Sequence, residues 1–235
     1  MRSYLAAWIV AALVLSVPVV AQTKAQCAKL SPCPADGCGK LRDPDLNVQK
    51  NRTTAPSQDK AITFADFVAF NSQGVNKKVR ASWTPAEHAQ VASVEDGPGV
   101  VLTAYLFDAT LSDPETCNCY KSGPANRDFH IWLAENQAGA KKKKFVVVEM
   151  TPRVRPGHPG WTLPAIKKLK PKAGKPWTLV RVKGYALFDN EHWNFPQRKI
   201  RATAWEIHPV TEFSYCTTGD TCDPASNQGW QNLDN

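Results

Sequence analysis

Several motifs that mark common catalytic and binding sites are missing from this sequence. It has no recognisable Ser-His-Asp arrangement, no nucleophile elbow and no glycine loop of the kind that cradles phosphates. The glycine pair in Gly157-His158-Pro159-Gly160 indicates a turn. After the first 20 residues there is no long apolar run, which argues against membrane-spanning helices in the rest of the chain.

The first residues have the pattern of a secretion signal. Arg2 supplies a positive charge, Leu5 to Val20 is almost wholly apolar, and Ala21 offers a small residue for cleavage. An uncleaved membrane anchor is the alternative, but the apolar run is short for a span. We therefore expect residues 1–21 to be a cleaved signal peptide and the protein to be secreted or periplasmic.

Seven cysteines fit an oxidising compartment, in which disulfides form and persist. Their pairing cannot be read from the sequence, and the odd number leaves one thiol over. Zinc is the alternative, although the spacings do not match the usual C-x2-C pattern. The disulfide candidates are Cys27, Cys33, Cys38, Cys117, Cys119, Cys216 and Cys222.

The formal net charge of +8 predicts an affinity for anions such as nucleic acid, acidic polysaccharide or phospholipid headgroups. Charge alone does not choose among these partners, and it is also compatible with a protein that is merely soluble. The predicted partner is an anionic polymer, with no stable membrane span once the signal is removed.

The chain divides by pattern into five parts. Residues 22–59 are rich in Cys, Pro, Asp and Asn and predict a loop-rich extension held by disulfides. Residues 60–98 predict helices, with Thr84, Pro85 and Glu87 forming a good helix start. Residues 99–216 hold five predicted strands, and residues 217–235 form a tail. The strands are predicted at 99–109, 127–135, 145–152, 177–189 and 202–215, with a short helix near 164–169.

Three strands, a helical connection and two more strands are typical of an OB-fold. The predicted fold class is therefore mainly β, a five-stranded OB-fold-like barrel of order β-β-β-α-β-β, with N-terminal helices and a disulfide-stapled extension. Gly184 inside the fourth strand indicates a bulge of the kind that small barrels need. A different small barrel or a twisted sheet is the alternative.

Four segments also carry a resemblance: RDFHIWLA, FVVVEMTP, VRVKGYALFDNEHW and RATAWEIHPV. They resemble an uncharacterised family of secreted bacterial proteins with a D-x-H-I strand and a terminal W-E-I-H-P-V strand. The resemblance covers about residues 99–215. It implies an OB-like fold and a secreted location, and it supplies no activity and no catalytic residue.

Alternation along two strands predicts a candidate site. In one strand Asp128 and His130 lie opposite the apolar residues, and in the last strand Glu206 and His208 do the same. Glu149 lies on a strand that an OB barrel places between them. Carboxylates and imidazoles together bind zinc or manganese or transfer protons, so these five residues are candidate metal ligands. The alternative is that they pair with one another only to hold the strands in register.

A second candidate site is aromatic and basic. The residues predicted to contact a ligand are Trp132, His192, Trp193, Arg198 and Arg201, most of them in the loop before the last strand. Aromatic rings stack on bases or sugars and arginines hold anions. The alternative is that the two tryptophans pack beneath the loop. The lysine run 141–144 is predicted to be a solvated turn, with phosphate contact as the less favoured interpretation.

These patterns support three hypotheses about function. The first is a secreted binding module for single-stranded nucleic acid or an acidic glycan. The second is a metal-dependent hydrolase, acting for example on phosphodiesters, that uses His130, Glu206 and His208 with zinc or manganese as cofactor. The third is a disulfide-stapled scaffold for a protein partner.

Overall fold

A computed structural model describes residues 22–70, 75, 77 and 79–235. The predicted signal peptide, residues 1–21, lies outside the described residues. Every helix within the described part of the chain is too short or too polar to span a bilayer. The helices are α1 (Lys24–Cys27), α2 (Pro44–Lys50), α3 (Phe64–Val68), α4 (Pro85–Glu95), α5 (Gln137–Lys141) and α6 (Leu163–Lys168), and the strands are β1 (Asp59–Ile62), β2 (Gly99–Leu111), β3 (Phe129–Ala134), β4 (Phe145–Met150), β5 (Leu179–Phe188), β6 (Trp205–Cys216) and β7 (Trp230–Asn232).

Strands β2 to β6 form a closed five-stranded barrel, so the predicted fold class is confirmed. The order around the barrel is β2-β3-β4-β6-β5, and β5 pairs with β2 to close it. Only β4 and β6 run parallel among these pairs; the others are antiparallel. The helix α6 lies between β4 and β5 in the chain and packs against β2, which gives the predicted β-β-β-α-β-β order.

The barrel's core is formed by one residue in two along each strand. Leu106 on β2, Ile131 and Leu133 on β3, Val148 on β4 and Ile207 on β6 are all fully buried in one apolar cluster. Fully burying side chains of this size contributes about 1.5–3 kcal/mol each, as an upper range. This burial fixes which face of each strand points inward and therefore which residues lie on the outer face.

Gly184 lies at the irregular pairing between β5 and β6, where the register shifts on both sides of it. A Cβ atom at this position would lie 2.3 Å from the carbonyl oxygen of Pro209. Only glycine allows the two backbones to approach this closely, which accounts for the bulge that the sequence predicts.

The region predicted to be helical, residues 60–98, also contains a strand. Its β1 pairs in parallel with β2, so Ile62, within the range predicted to be helical, belongs to a strand instead. The second predicted helix is present as α4, with Thr84 as N-cap and Glu87 closing a capping box. The short β7 of the tail pairs with β6 and has no counterpart among the predicted strands.

Six of the seven cysteines, all of which lie among the described residues, form disulfides. The pairs are Cys27–Cys38, Cys33–Cys119 and Cys216–Cys222. The thiol left over is Cys117, which is buried. Three disulfides fit an extracellular protein. The long-range pair, Cys33–Cys119, ties the N-terminal extension to the loop between β2 and β3.

Candidate functional site

Three neighbouring barrel strands bring the predicted carboxylates and imidazoles together. On β3 and β4, His130 is directly opposite Glu149. On the other side of β4, Val147 is opposite Glu206 in the parallel pairing with β6. Because alternate residues share a face, Glu149, Glu206 and His208 lie on the same outer face of the barrel as His130.

The side chains on this face form a continuous series of contacts. His130 Nε2 lies 2.9 Å from Glu149 Oε1, although the ring N–H is not aligned with that oxygen as a hydrogen bond. His208 Nδ1 lies 3.5 Å from Glu149 Oε2 and 3.2 Å from Glu206 Oε1. Asp128, just before β3, brings a carboxylate oxygen within 4.8 Å of ligand atoms of Glu149 and His208. We call Asp128, His130, Glu149, Glu206 and His208 the acid–imidazole cluster.

The acid–imidazole cluster is covered rather than open to solvent. Asp128, Glu206 and His208 are fully buried and Glu149 is 3% exposed, whereas the His130 side chain retains 22% of its exposure. The structure thus brings all five predicted metal ligands together, in two overlapping groups that share Glu149: one is Asp128, Glu149 and His208, and the other is His130, Glu149 and Glu206. Of these five residues, His130 alone keeps an appreciable exposed fraction.

Burial and neighbouring charge shift the pKa values in the acid–imidazole cluster. Burial alone would lower the pKa of His130, but the adjacent Glu149 carboxylate outweighs it and raises that pKa to about 9. Burial would raise the pKa of Glu149, yet His130 and His208 hold it well below its ordinary value. Burial, followed by repulsion from Glu115, raises the pKa of Asp128 to about 7.

These shifts predict that stability falls as the pH rises. Both His130 and Asp128 have a folded-state pKa above the unfolded value, so the folded protein binds more protons. The stabilising contribution of His130 is complete below pH ~6.5 and is lost as the pH passes through about 9, a change on the order of 3 kcal/mol.

Urea unfolding between pH 6 and pH 9.5 measures this dependence. A His130→Gln variant is the control, since it should flatten the upper part of the profile. A wild-type stability that stays level or increases towards pH 9.5 would contradict the assignment of a charged His130.

Arg201, one of the residues predicted to contact a ligand, is largely enclosed by its neighbours. It is predicted to face an anionic polymer, but only 3% of its surface is exposed. Its Nη2 contacts Asp189 Oδ2 and its Nη1 lies 3.3 Å from Glu206 Oε2. Arg201 therefore neutralises two buried carboxylates, and little of its surface is left for a ligand.

The remaining predicted ligand contacts do not form one surface. Trp132 packs edge-on against Phe145, with ring centroids 5.6 Å apart, and Trp193 packs against the barrel's core. His192 contacts Asp189, while Arg198 is exposed with its guanidinium near the Phe195 ring. Of the two interpretations of the tryptophans, the structure favours packing.

Sequence patterns alone missed a basic cavity at one end of the barrel. It has a volume of about 530 Å³ and lies between the turn after α5 and the loop before β6. Its lining is basic or apolar, with no acidic residue among the described part of the chain: Val68, Lys142, Lys143, Lys144, Pro196, Lys199, Arg201 and Ala202. The lysine run and the loop were each visible in the sequence, but their meeting depends on the fold.

The loop after β2 contributes further groups that the sequence did not place. The Cys117 Sγ lies 3.5 Å from Glu115 Oε2 and 4.0 Å from Asp128 Oδ2. Lys50 from α2 is 3% exposed, and its Nζ lies 2.9 Å from Glu115 Oε2. The odd number of cysteines was the one signal that a free thiol existed here.

No protein-family model, no curated protein and no solved structure matches this chain. The function must therefore be argued from the geometry of these two places, the basic cavity and the acid–imidazole cluster.

Proposed function

We propose that this protein is a binding module for an anionic ligand, and that the basic cavity holds the ligand's charged groups. The observation that carries the proposal is the cavity's four exposed lysines, Lys142, Lys143, Lys144 and Lys199. In the described part of the chain no ion pair joins any of them to a carboxylate. Lysines of this kind are free to neutralise an added anion.

The shape and location of the cavity support this proposal. Apolar atoms of Val68, Pro196 and Ala202 line it beside the lysines, and a concave site that combines apolar atoms with a few charged groups is typical of a ligand pocket. The barrel's strand order is that of an OB-fold, an architecture that hosts oligonucleotide and oligosaccharide sites. Three disulfides support a location outside the cytoplasm, as the predicted signal peptide does.

The ligand is a polyanion recognised by its charge. No aromatic side chain among the described residues lines the cavity, so it offers no platform for stacking bases. Binding of single-stranded nucleic acid normally adds base stacking to charge, so we favour an acidic glycan held through its anionic groups alone. Burial of Glu206 and His208 counts against the hydrolase hypothesis, because a substrate has no route to them.

Charge reversal in the cavity tests the proposal. The double variant Lys143→Glu/Lys199→Glu should weaken binding of a sulfated oligosaccharide by about 10–100-fold at low salt. Two positive charges that neutralise anionic groups are replaced by two negative charges that repel them. Fluorescence anisotropy with a labelled oligosaccharide and with a labelled single-stranded oligonucleotide, over a salt series, gives the affinities.

A matched control has the same change in net charge elsewhere. Lys172 and Lys175 are exposed and lie in another turn, so Lys172→Glu/Lys175→Glu should reduce binding far less. Equal losses in the two double variants would mean that overall charge, and not the cavity, attracts the ligand. Absence of saturable binding to either probe at low salt would end the proposal.

A further inference from the structure

We propose that Asp128, Glu149 and His208 form a buried site for one divalent cation of the zinc type. One ligand atom from each residue lies within 4.8 Å of those from the other two. Two carboxylates and an imidazole are a donor set that suits zinc or manganese. The site is separate from the basic cavity, so this proposal does not depend on the proposed function.

Each of the two carboxylates has one oxygen in contact with a neighbouring side chain and a second oxygen that accepts no hydrogen bond. Asn118 Nδ2 donates to Asp128 Oδ2 at 2.9 Å, and Asp128 Oδ1 accepts no hydrogen bond from any described residue. In Glu149, Oε1 contacts His130. Its other oxygen, Oε2, lies 3.5 Å from His208 Nδ1 and accepts no hydrogen bond from any described residue. Buried acceptors left in this way are costly unless a further group satisfies them.

The imidazole shows the same arrangement. His208 Nδ1 lies 3.2 Å from Glu206 Oε1, and its Nε2 has no hydrogen-bond partner among the described residues. A histidine that binds a metal through one nitrogen usually donates its other N–H to a carboxylate, which fixes the ring and its tautomer. Glu206 is placed to do this, and Arg201 in turn holds Glu206. The supporting partners of a metal site are therefore present.

The charges around the site favour a cation. Asp128 is fully buried, and both Glu115 and Glu149 bring a carboxylate oxygen within 4.8 Å of its own. The lysine on this side, Lys50, contacts Glu115 at 2.9 Å rather than Asp128. A divalent ion at this position would offset the negative charge that these carboxylates bring together.

The loop that carries Asp128 reaches the surface at Glu115. Glu115 lines a cavity of about 420 Å³ at the surface, together with Leu41, Val79 and Tyr120. Glu115, Cys117 and Asp128 form a further group whose ligand atoms lie within 4.8 Å of one another. A cation entering past Glu115 would meet Cys117 and then Asp128. Because the three proposed ligands are buried, the ion would join the loop to β4 and β6 and would not meet a substrate.

Metal binding by the full chain tests the proposal. Protein treated with chelator is titrated with Zn²⁺ and with Co²⁺, and the bound metal is measured after gel filtration. We expect one equivalent of either ion and a rise in melting temperature of about 5 °C with excess Zn²⁺. The near-isosteric variant Asp128→Asn should weaken Zn²⁺ binding by about 10–100-fold. The variant Glu206→Gln, which changes the carboxylate that supports His208, should weaken it by about 10-fold.

A histidine elsewhere gives the matched control. His158 Nδ1 lies 2.6 Å from Asp234 Oδ2, away from the site, so His158→Gln should bind Zn²⁺ like the wild type. Circular dichroism shows whether each variant is folded. If the wild-type protein binds neither ion, the proposal is wrong whatever the variants do. If folded Asp128→Asn binds Zn²⁺ as tightly as the wild type, the ion lies elsewhere and the proposal is also wrong.

Discussion

Replacement of Arg201 by methionine is expected to destabilise the protein by about 3–5 kcal/mol. The guanidinium contacts Asp189 and Glu206, whose side chains are 2% and 1% exposed. Methionine fills part of the space but leaves both carboxylates without this positive charge. Removing one member of a buried ion network costs more than the network contributes, since the remaining charges stay desolvated.

Urea unfolding at pH 7 measures the loss, with Arg198→Met as control. Arg198 is in the same loop and carries the same charge, but it is exposed, so its replacement should change the unfolding free energy by less than about 0.5 kcal/mol. A loss below 1 kcal/mol for Arg201→Met would show that Asp189 and Glu206 find other partners. It would also argue against a role for Glu206 in orienting His208.

Alternation was sufficient to predict the barrel and the composition of the acid–imidazole cluster. Phe129, Ile131 and Leu133 are buried in the core, and His130 lies on the opposite face, because a strand with one apolar face has a single stable register. The parallel neighbours β4 and β6 follow from the order of five strands. These features are local patterns or topological consequences of them, so they can be read from the chain.

Burial of the outer face of β6 could not be predicted in the same way. Glu206 and His208 alternate with Trp205 and Ile207, a pattern typical of a strand with one solvated face, yet all four are fully buried. Their cover comes from segments outside the barrel strands, including α2, which contacts β6, and from Arg201 in the preceding loop. Contacts of this kind depend on the tertiary fold and leave no periodic pattern in the sequence of β6.

Arg201 illustrates the same limit for charged residues. An arginine beside Lys199 in a loop is normally solvated, and lysines and arginines are rarely buried without a partner. Its partners, Asp189 and Glu206, are close in sequence, but only the turn of the loop brings them together. Likewise, the lysine run and Lys199 are 55 or more residues apart, and they line one cavity because β4 and β6 are neighbours.

Loss of the Cys33–Cys119 disulfide is expected to destabilise the protein by about 4–5 kcal/mol when both cysteines are changed to serine. The two residues are 86 positions apart, so the bond removes much of the unfolded chain's entropy. Unfolding of Cys33→Ser/Cys119→Ser under non-reducing conditions gives the value. The double variant avoids leaving a new free thiol beside Cys117.

The disulfide Cys216–Cys222 provides the comparison, because it closes a loop of only 6 positions. Its double serine variant should lose about 2 kcal/mol by the same chain-entropy argument. Similar losses in the two variants would show that local strain or packing, and not the length of the closed loop, sets the contribution of each bond.

The long-range disulfide should also affect the acid–imidazole cluster, because Cys119 follows the residues that cover it. Asn118 holds Asp128, and Asn51 from the end of α2 donates to the Cys117 carbonyl at 3.0 Å. Without the bond, this loop keeps its hydrogen bonds but loses its covalent anchor to the extension. We expect hydrogen exchange to rise in residues 112–128 and the Cys117 thiol to become reactive, while exchange in β5 stays slow. Equal rises in both regions would mean that the bond supports the whole barrel and not the cover alone.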